Sequence, residues 1–156
     1  MCIKKKCAQK NVHSAGPGIS MFDRSFNHKG KMRKRILLVD DELCIRKLVG
    51  KLLQVKGYDV IVAEDGEDAC IKALQYFPDI IVMDVNMDNT NGFDCALLLK
   101  MDAKTKDIPI LFYSGHLTNK AMEIAKHIGV NGLLEKSFRF DELIDKISLM
   151  LEENPA

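Results

Sequence analysis

Residues 36–42 read Ile-Leu-Leu-Val-Asp-Asp-Glu, four apolar residues running directly into three acids. An apolar run of this length fits a strand buried on both faces, and the abrupt polar end places Asp40 and Asp41 at its carboxyl edge. Three later stretches repeat the pattern. Ile80–Asp84 (IIVMD), Ile110–Ser114 (ILFYS) and Gly132–Lys136 (GLLEK) are each a short apolar run closed by one polar residue. If the four strands are parallel and adjacent, Asp40, Asp41, Asp84, Ser114 and Lys136 converge on one edge of one sheet. Three carboxylates there would repel one another, and a divalent cation removes that conflict; a hydroxyl and an ammonium beside them suit an anion. The set reads as magnesium plus phosphate.

The segments between these strands carry helical periods. Ile45, Leu48, Val49, Leu52 and Leu53 fall on one helix face, with Gly57 just past its end. Tyr58–Ala63 is a further strand, and Asp65 is placed to cap a helix carrying Ala69, Ala73, Leu74 and Phe77, which stops before Pro78. A short helix carrying Phe93, Ala96, Leu97 and Met101 follows Gly92. Thr118 or Asn119 caps another, ended by Gly129, and Phe140, Leu143, Ile144, Ile147 and Leu151 stripe the last. The order is strand–helix five times over. It predicts an α/β fold, a doubly wound five-stranded parallel sheet, (βα)5, with ligands bound at the carboxyl ends of the strands.

The chain has 156 residues, 47% of them hydrophobic, which suits one packed domain. Its net charge of +1 conceals an asymmetry: residues 1–34 hold nine Lys/Arg and one acid, so an excess of acids falls on the rest. Residues 1–34 lack a sustained apolar period and are expected to form a basic extension without fixed structure. Three roles fit it: an upstream extension with none, a charge-driven contact to anionic surfaces, or a specific docking segment. Residues 35–152 form the domain and 153–156 a short tail. No secretory signal and no run long enough to span a membrane is present, so the expected location is cytoplasmic. The five cysteines include no tight pair, and Cys44, Cys70 and Cys95 read as small buried hydrophobes rather than disulfide or metal ligands. There is no GxxxxGK[ST] loop, no GxGxxG after the first strand and no GxSxG elbow, which disfavours P-loop nucleotidases, dinucleotide enzymes and serine hydrolases.

At these residues the chain resembles the receiver domain of bacterial two-component response regulators, of flavodoxin-like fold. Val39–Glu42 (VDDE), Asp84–Gly92 (DVNMDNTNG), Tyr113–Gly115 (YSG) and Gly132–Phe138 (GLLEKSF) occur in the family's order. Separations of 43, 30 and 22 residues along Asp41, Asp84, Ser114 and Lys136 also fit, and the likeness covers about residues 33–152. The resemblance implies a phosphoacceptor, not an enzyme in the ordinary sense. Asp84 would take a phosphoryl group from a histidine kinase or phosphotransfer protein. Magnesium would be held by Asp41 directly, Asp40 through water, Asp84 and the backbone carbonyl of Asn86. Ser114 and Lys136 would contact the phosphate, with Asn86 and His116 at the positions that tune dephosphorylation. The output would be a protein contact on the fourth helix, fifth strand and fifth helix, about Asn119–Leu151, without direct DNA binding, as in a stand-alone receiver.

Four positions depart from the family's pattern. Asp88 and Thr90 stand where Pro and Met are common. Leu133 replaces an aromatic residue that usually rotates with Ser114. Ser137 follows Lys136 where the family has a cis-proline; a cis bond before Ser would cost about 3 kcal/mol, so Lys136 is expected to be presented differently. These departures keep two alternatives in view: a degenerate receiver that binds partners without phosphorylation, and a magnesium phosphohydrolase of the haloacid-dehalogenase type.

Overall fold

A computed structural model describes residues 24–26, 29–88, 90–136 and 139–153. The elements run β1 (Arg35–Val39), α1 (Leu43–Val55), β2 (Asp59–Ala63), α2 (Gly66–Tyr76), β3 (Ile80–Met83), α3 (Gly92–Met101), β4 (Ile110–Ser114), α4 (Asn119–Ile128), β5 (Gly132–Glu135) and α5 (Phe140–Glu153). The five strands form one parallel sheet in the order β2-β1-β3-β4-β5. This is the doubly wound (βα)5 architecture that the alternating periods predict.

Two core layers sandwich the sheet because successive strand residues point to opposite faces. Leu37, Val39, Ile81, Met83, Ile110 and Phe112 pack on one side with Ala69 and Ala73 of α2, Cys95, Ala96 and Leu99 of α3, and Ala125 of α4. Ile36, Leu38, Ile80, Val82 and Leu111 pack on the other with Val49 and Leu53 of α1 and Leu143, Ile147 and Met150 of α5. Burial on both faces explains why β1, β3 and β4 read as continuous apolar runs rather than alternating ones.

Local signals set the helix ends. Asp65 accepts from the Asp68 N–H and Thr118 from the Ala121 N–H, so both cap the helices expected of them. Gly57 and Gly129 have φ of +96° and +85°, conformations that glycine adopts without cost. Helix α2 ends instead on Phe77, a non-glycine residue with φ of +45°. Five side chains expected on buried faces are exposed: Cys44 and Leu48 on α1, Leu74 on α2, and Leu97 and Met101 on α3.

Contacts of the domain extend upstream of residue 35. Phe26 and Met32 form an antiparallel bridge, and Arg24 pairs with Asp79 (3.1 Å) and donates to the Phe77 carbonyl (3.1 Å). Residues 1–23 and 27–28 of the basic extension lie outside the described residues, as do 154–156 of the C-terminal tail.

Candidate functional site

Strands β1 and β3 are neighbours, and the chain leaves β1 for β2 on one side and enters β3 on the other. That reversal opens a crevice at the carboxyl edge, where an open α/β sheet binds its ligand. The ladder continues past the strand ends and fixes the residues that line the crevice. The Asp40 N–H donates to the Ala63 carbonyl (3.2 Å), the Asp84 N–H to the Val39 carbonyl (2.9 Å) and the Lys136 N–H to the Ser114 carbonyl (2.7 Å). Backbone pairing therefore delivers residues more than ninety positions apart to one place.

There, one oxygen from each of Asp40, Asp41 and Asp84 lies within 4.8 Å of the other two. Asp40 and Asp84 are buried, 2% and 6% exposed, and Asp41 is half-buried. Lys136 Nζ bridges Asp40 Oδ2 (2.6 Å) and Asp84 Oδ2 (2.7 Å). The other Asp84 oxygen, Oδ1, accepts from the Ser114 hydroxyl (3.0 Å) and the Asn86 N–H (3.1 Å). Asp84 is thus held at one oxygen by neutral donors and at the other by a cation. Burial acts to lower the Lys136 pKa, but hydrogen bonds and charge from Asp40 and Asp84 outweigh it and leave the ammonium raised. Burial also raises the neighbouring Tyr113, against the opposing pull of Lys136.

The loops around the crevice are tied to the same groups. Asp40 Oδ1 accepts from the Glu42 N–H (2.9 Å), and Asp41 Oδ2 from the Asp88 N–H (3.0 Å). The Asn86 side chain reaches Ser114 Oγ (3.4 Å). His116 is exposed and lies with Asn86, Val85 and Phe93 around a hollow of about 220 Å³. Thr90 is half-buried against α2: a Cβ on Gly66 would sit 2.5 Å from its methyl carbon. Leu133 packs into the core on the α2–α3–α4 side. Lys136 reaches both aspartates with Ser137 after it; Ser137 itself lies outside the described residues.

The contact made by Arg46 and the close packing of Gly92 are not legible in the sequence. Arg46 donates to the Asp40 carbonyl (2.6 Å), although its place on α1 reads as an ordinary charged position. Gly92 lies so close beneath the loop after β3 that an added Cβ would meet the Asp84 carbonyl oxygen at 2.4 Å. The Asn-Gly pair at the start of α3 signals a helix start, but only the fold reveals which backbone lies against it.

The family model for the response regulator receiver domain matches residues 36–148. The chain belongs to this family. Receivers are signalling modules that work with histidine kinases or phosphotransfer proteins and bind magnesium at an acidic pocket. The chain is 31% identical over 121 residues to the CAI-1 autoinducer sensor kinase/phosphatase CqsS of Vibrio cholerae, a match covering 77% of this receiver and 18% of that protein. Among solved structures, the chemotaxis response regulator CheY4 of Vibrio cholerae is 32% identical with a TM-score of 0.72, covering 77% of this chain and 100% of that one. The response regulator TrrA of Thermotoga maritima, in complex with Mg(2+)-BeF, is 33% identical with a TM-score of 0.69, covering 76% and 99%. The receiver spans about half the length or less of the curated relatives it matches. Among the described residues, no helix is long and apolar enough to cross a membrane.

Proposed function

We propose that the protein is a phosphoacceptor switch in which Asp84 takes a phosphoryl group from a phosphohistidine on a histidine kinase or phosphotransfer protein. One observation carries this reading. Asp84 is a buried carboxylate held by the Ser114 hydroxyl on one oxygen and the Lys136 ammonium on the other, beside two further aspartates. Asp84 attacks phosphorus as the P–N bond breaks. The leaving imidazole takes up a proton, and a carboxylate oxygen gains the new O–P bond. Lys136 is placed to keep a charge contact with the incoming phosphoryl oxygens, and Ser114 to turn its O–H from Asp84 to one of them. The residues supply position and charge neutralisation, which is most of what phosphoryl transfer asks of a protein.

Asp40, Asp41, Asp84 and the main-chain carbonyl of Asn86 are the residues that would hold magnesium, since three crowded carboxylate oxygens suit a hard divalent cation. Bound there, the ion would neutralise charge that develops on the phosphoryl oxygens. Asn86 and His116, at the mouth of the crevice, would set how readily water reaches the acyl phosphate. The output surface would be the face formed by α4, β5 and α5, where Met122, Lys120 and Lys126 are exposed, and the partner a protein. The cytoplasm is the compartment that suits this role.

Labelling with acetyl phosphate and magnesium tests the acceptor. Asp84→Asn should abolish incorporation; a phosphoryl group retained by that variant at another residue overturns the assignment. Leu133, packed in the core where an aromatic switch is usual, favours one second reading, a receiver that binds partners without phosphorylation. Titration with magnesium and beryllofluoride separates the two. Spectral shifts at Ser114 and along α4 support the switch, and none at saturation supports the unphosphorylated module.

A further inference from the structure

Helices α2 and α3 pack side by side over the sheet, and a pair of thiols sits in their seam. Cys70 Sγ on α2 lies 3.7 Å from Cys95 Sγ on α3, so the two sulfurs touch. The approach depends on Gly66: a Cβ there would lie 2.9 Å from the Cys95 Cβ, and the Gly66 carbonyl instead accepts from the Cys95 thiol (3.3 Å). Cys95 is fully buried, whereas Cys70 is partly open to solvent. One thiol is therefore reachable from outside and the other waits behind it.

We propose that Cys70 and Cys95 form a reversible dithiol–disulfide site, oxidised by a small hydroperoxide that enters at Cys70. The Cys70 thiolate attacks the peroxide, the O–O bond breaks, and Cys70 becomes a sulfenic acid while an alcohol or water leaves. The Cys95 sulfur then attacks the Cys70 sulfur. The S–S bond forms, the S–O bond breaks, and the departing hydroxide takes the Cys95 proton as water. Two thiols and one hydroperoxide give one disulfide, one alcohol (water, for hydrogen peroxide) and one water, and a dithiol reductant reverses the step.

The electrostatics run the same way. When the Cys95 S–H turns from the Gly66 carbonyl to Cys70, its hydrogen bond lowers the Cys70 pKa, over the opposing effects of burial and of Asp102, Asp65 and Glu67. The same pairing, with burial, raises Cys95. The accessible sulfur is thus the one that favours the reactive thiolate. Bond formation closes the gap from 3.7 Å to the bond length of about 2.05 Å.

The bridge would also restrain the neighbouring site. Between Cys70 and Cys95 run β3, Asp84, Asn86 and the first turn of α3, and Gly92 presses on the Asp84 carbonyl from within that segment. Joining its ends stiffens the segment that carries the proposed phosphoacceptor.

The test uses the full chain with Cys2, Cys7 and Cys44 changed to Ser, and the unaltered chain beside it. Each is exposed to hydrogen peroxide, digested without reductant and mapped by mass spectrometry. The expected product joins the Cys70 and Cys95 peptides with the loss of two hydrogens, and dithiothreitol separates them. In Cys95→Ser the sulfenic acid at Cys70 should accumulate and be trapped by dimedone. Cys70 oxidised to sulfinic acid while Cys95 stands free, or both thiols intact after free cysteine has been consumed, would overturn the site. In the bridged protein, amide hydrogen exchange over residues 84–88 should slow at least about threefold; an unchanged rate would overturn the coupling. Neither readout depends on phosphorylation, so failure here and failure of Asp84 as acceptor are separable.

Discussion

Lys136 occupies the centre of the acidic cluster, its Nζ 2.6 Å from Asp40 and 2.7 Å from Asp84. Removing its charge leaves two buried carboxylates facing each other, a change that costs roughly 3 kcal/mol when one partner of a buried pair is lost. A divalent cation can supply the missing charge. Lys136→Met should therefore be markedly destabilised in chelator and regain most of the loss in excess magnesium, measured by urea unfolding. An equal deficit in both conditions would mean that the carboxylates do not hold the ion. The pH dependence has a definite sign. The Lys136 pKa is raised above its ordinary value of 10.5 in the folded state. Its stabilisation is therefore complete below 10.5 and is lost only as the pH climbs through the raised value. The stability gap between wild type and Lys136→Met should stay flat from pH 7 to 10.5 and narrow above it. At this scale the sequence was informative because each site residue closes an apolar run. Asp40, Asp41, Asp84, Ser114 and Lys136 could be placed on one edge from that alone. Arg46 could not, since a side chain that bonds a backbone carbonyl leaves no mark in the pattern.

Elements position the site through close backbone contacts, and two glycines show the difference between contact and open space. A Cβ on Gly92 would meet Asp84 O at 2.4 Å and Val85 Cα at 2.9 Å, both backbone atoms that cannot swing aside. Gly92→Ala should thus push α3 away from the acceptor loop, costing on the order of 2 kcal/mol and slowing phosphorylation of Asp84. Gly115, next to Ser114, has nothing within 4 Å of an added Cβ and no positive φ, so Gly115→Ala should leave the stability within about 0.5 kcal/mol of wild type. Reversal of that order in paired melts would refute the packing argument. The strands and helices were legible because burial on both faces writes continuous apolar runs and one-sided burial writes a helical period. Helix α1 shows where that code blurs. Its stripe predicts Leu48 inside with Val49 and Leu53, yet Leu48 is 59% exposed, because the sheet covers a narrower arc than the apolar residues span. The Cys70–Cys95 contact was invisible for a related reason. Each cysteine fits a buried face by itself, and only the α2–α3 packing joins them.

Across the whole molecule the two edges of the sheet carry different charges and different tasks. The carboxyl edge gathers Asp40, Asp41 and Asp84 around Lys136. At the opposite edge Asp79, just before β3, gathers two cations and an amide: it accepts from Arg24 (3.1 Å), Lys34 (3.3 Å) and the Arg35 backbone N–H (2.7 Å), with its side chain only 4% exposed. Arg35 itself is fully buried and pairs with Asp59 at 2.8 Å. Arg24 is the piece of this cluster that belongs to the basic segment, and it also caps the Phe77 carbonyl where α2 ends in a left-handed turn. Deleting residues 1–31 removes those two hydrogen bonds but leaves Asp79 with Lys34 and the Arg35 amide. The expected cost is about 1–2 kcal/mol, or a fall of roughly 3–8 °C in the thermal midpoint for a domain of this size. Arg24→Ala in the full chain should reproduce most of it. Phosphorylation of Asp84 should proceed at the wild-type rate in both, because the lost contacts lie at the amino ends of the strands and Asp84 at the carboxyl ends. A truncated protein as stable as the full chain would show that Arg24 contributes nothing at this edge. One that folds normally but labels slowly would show that the basic segment acts at the acceptor edge as well.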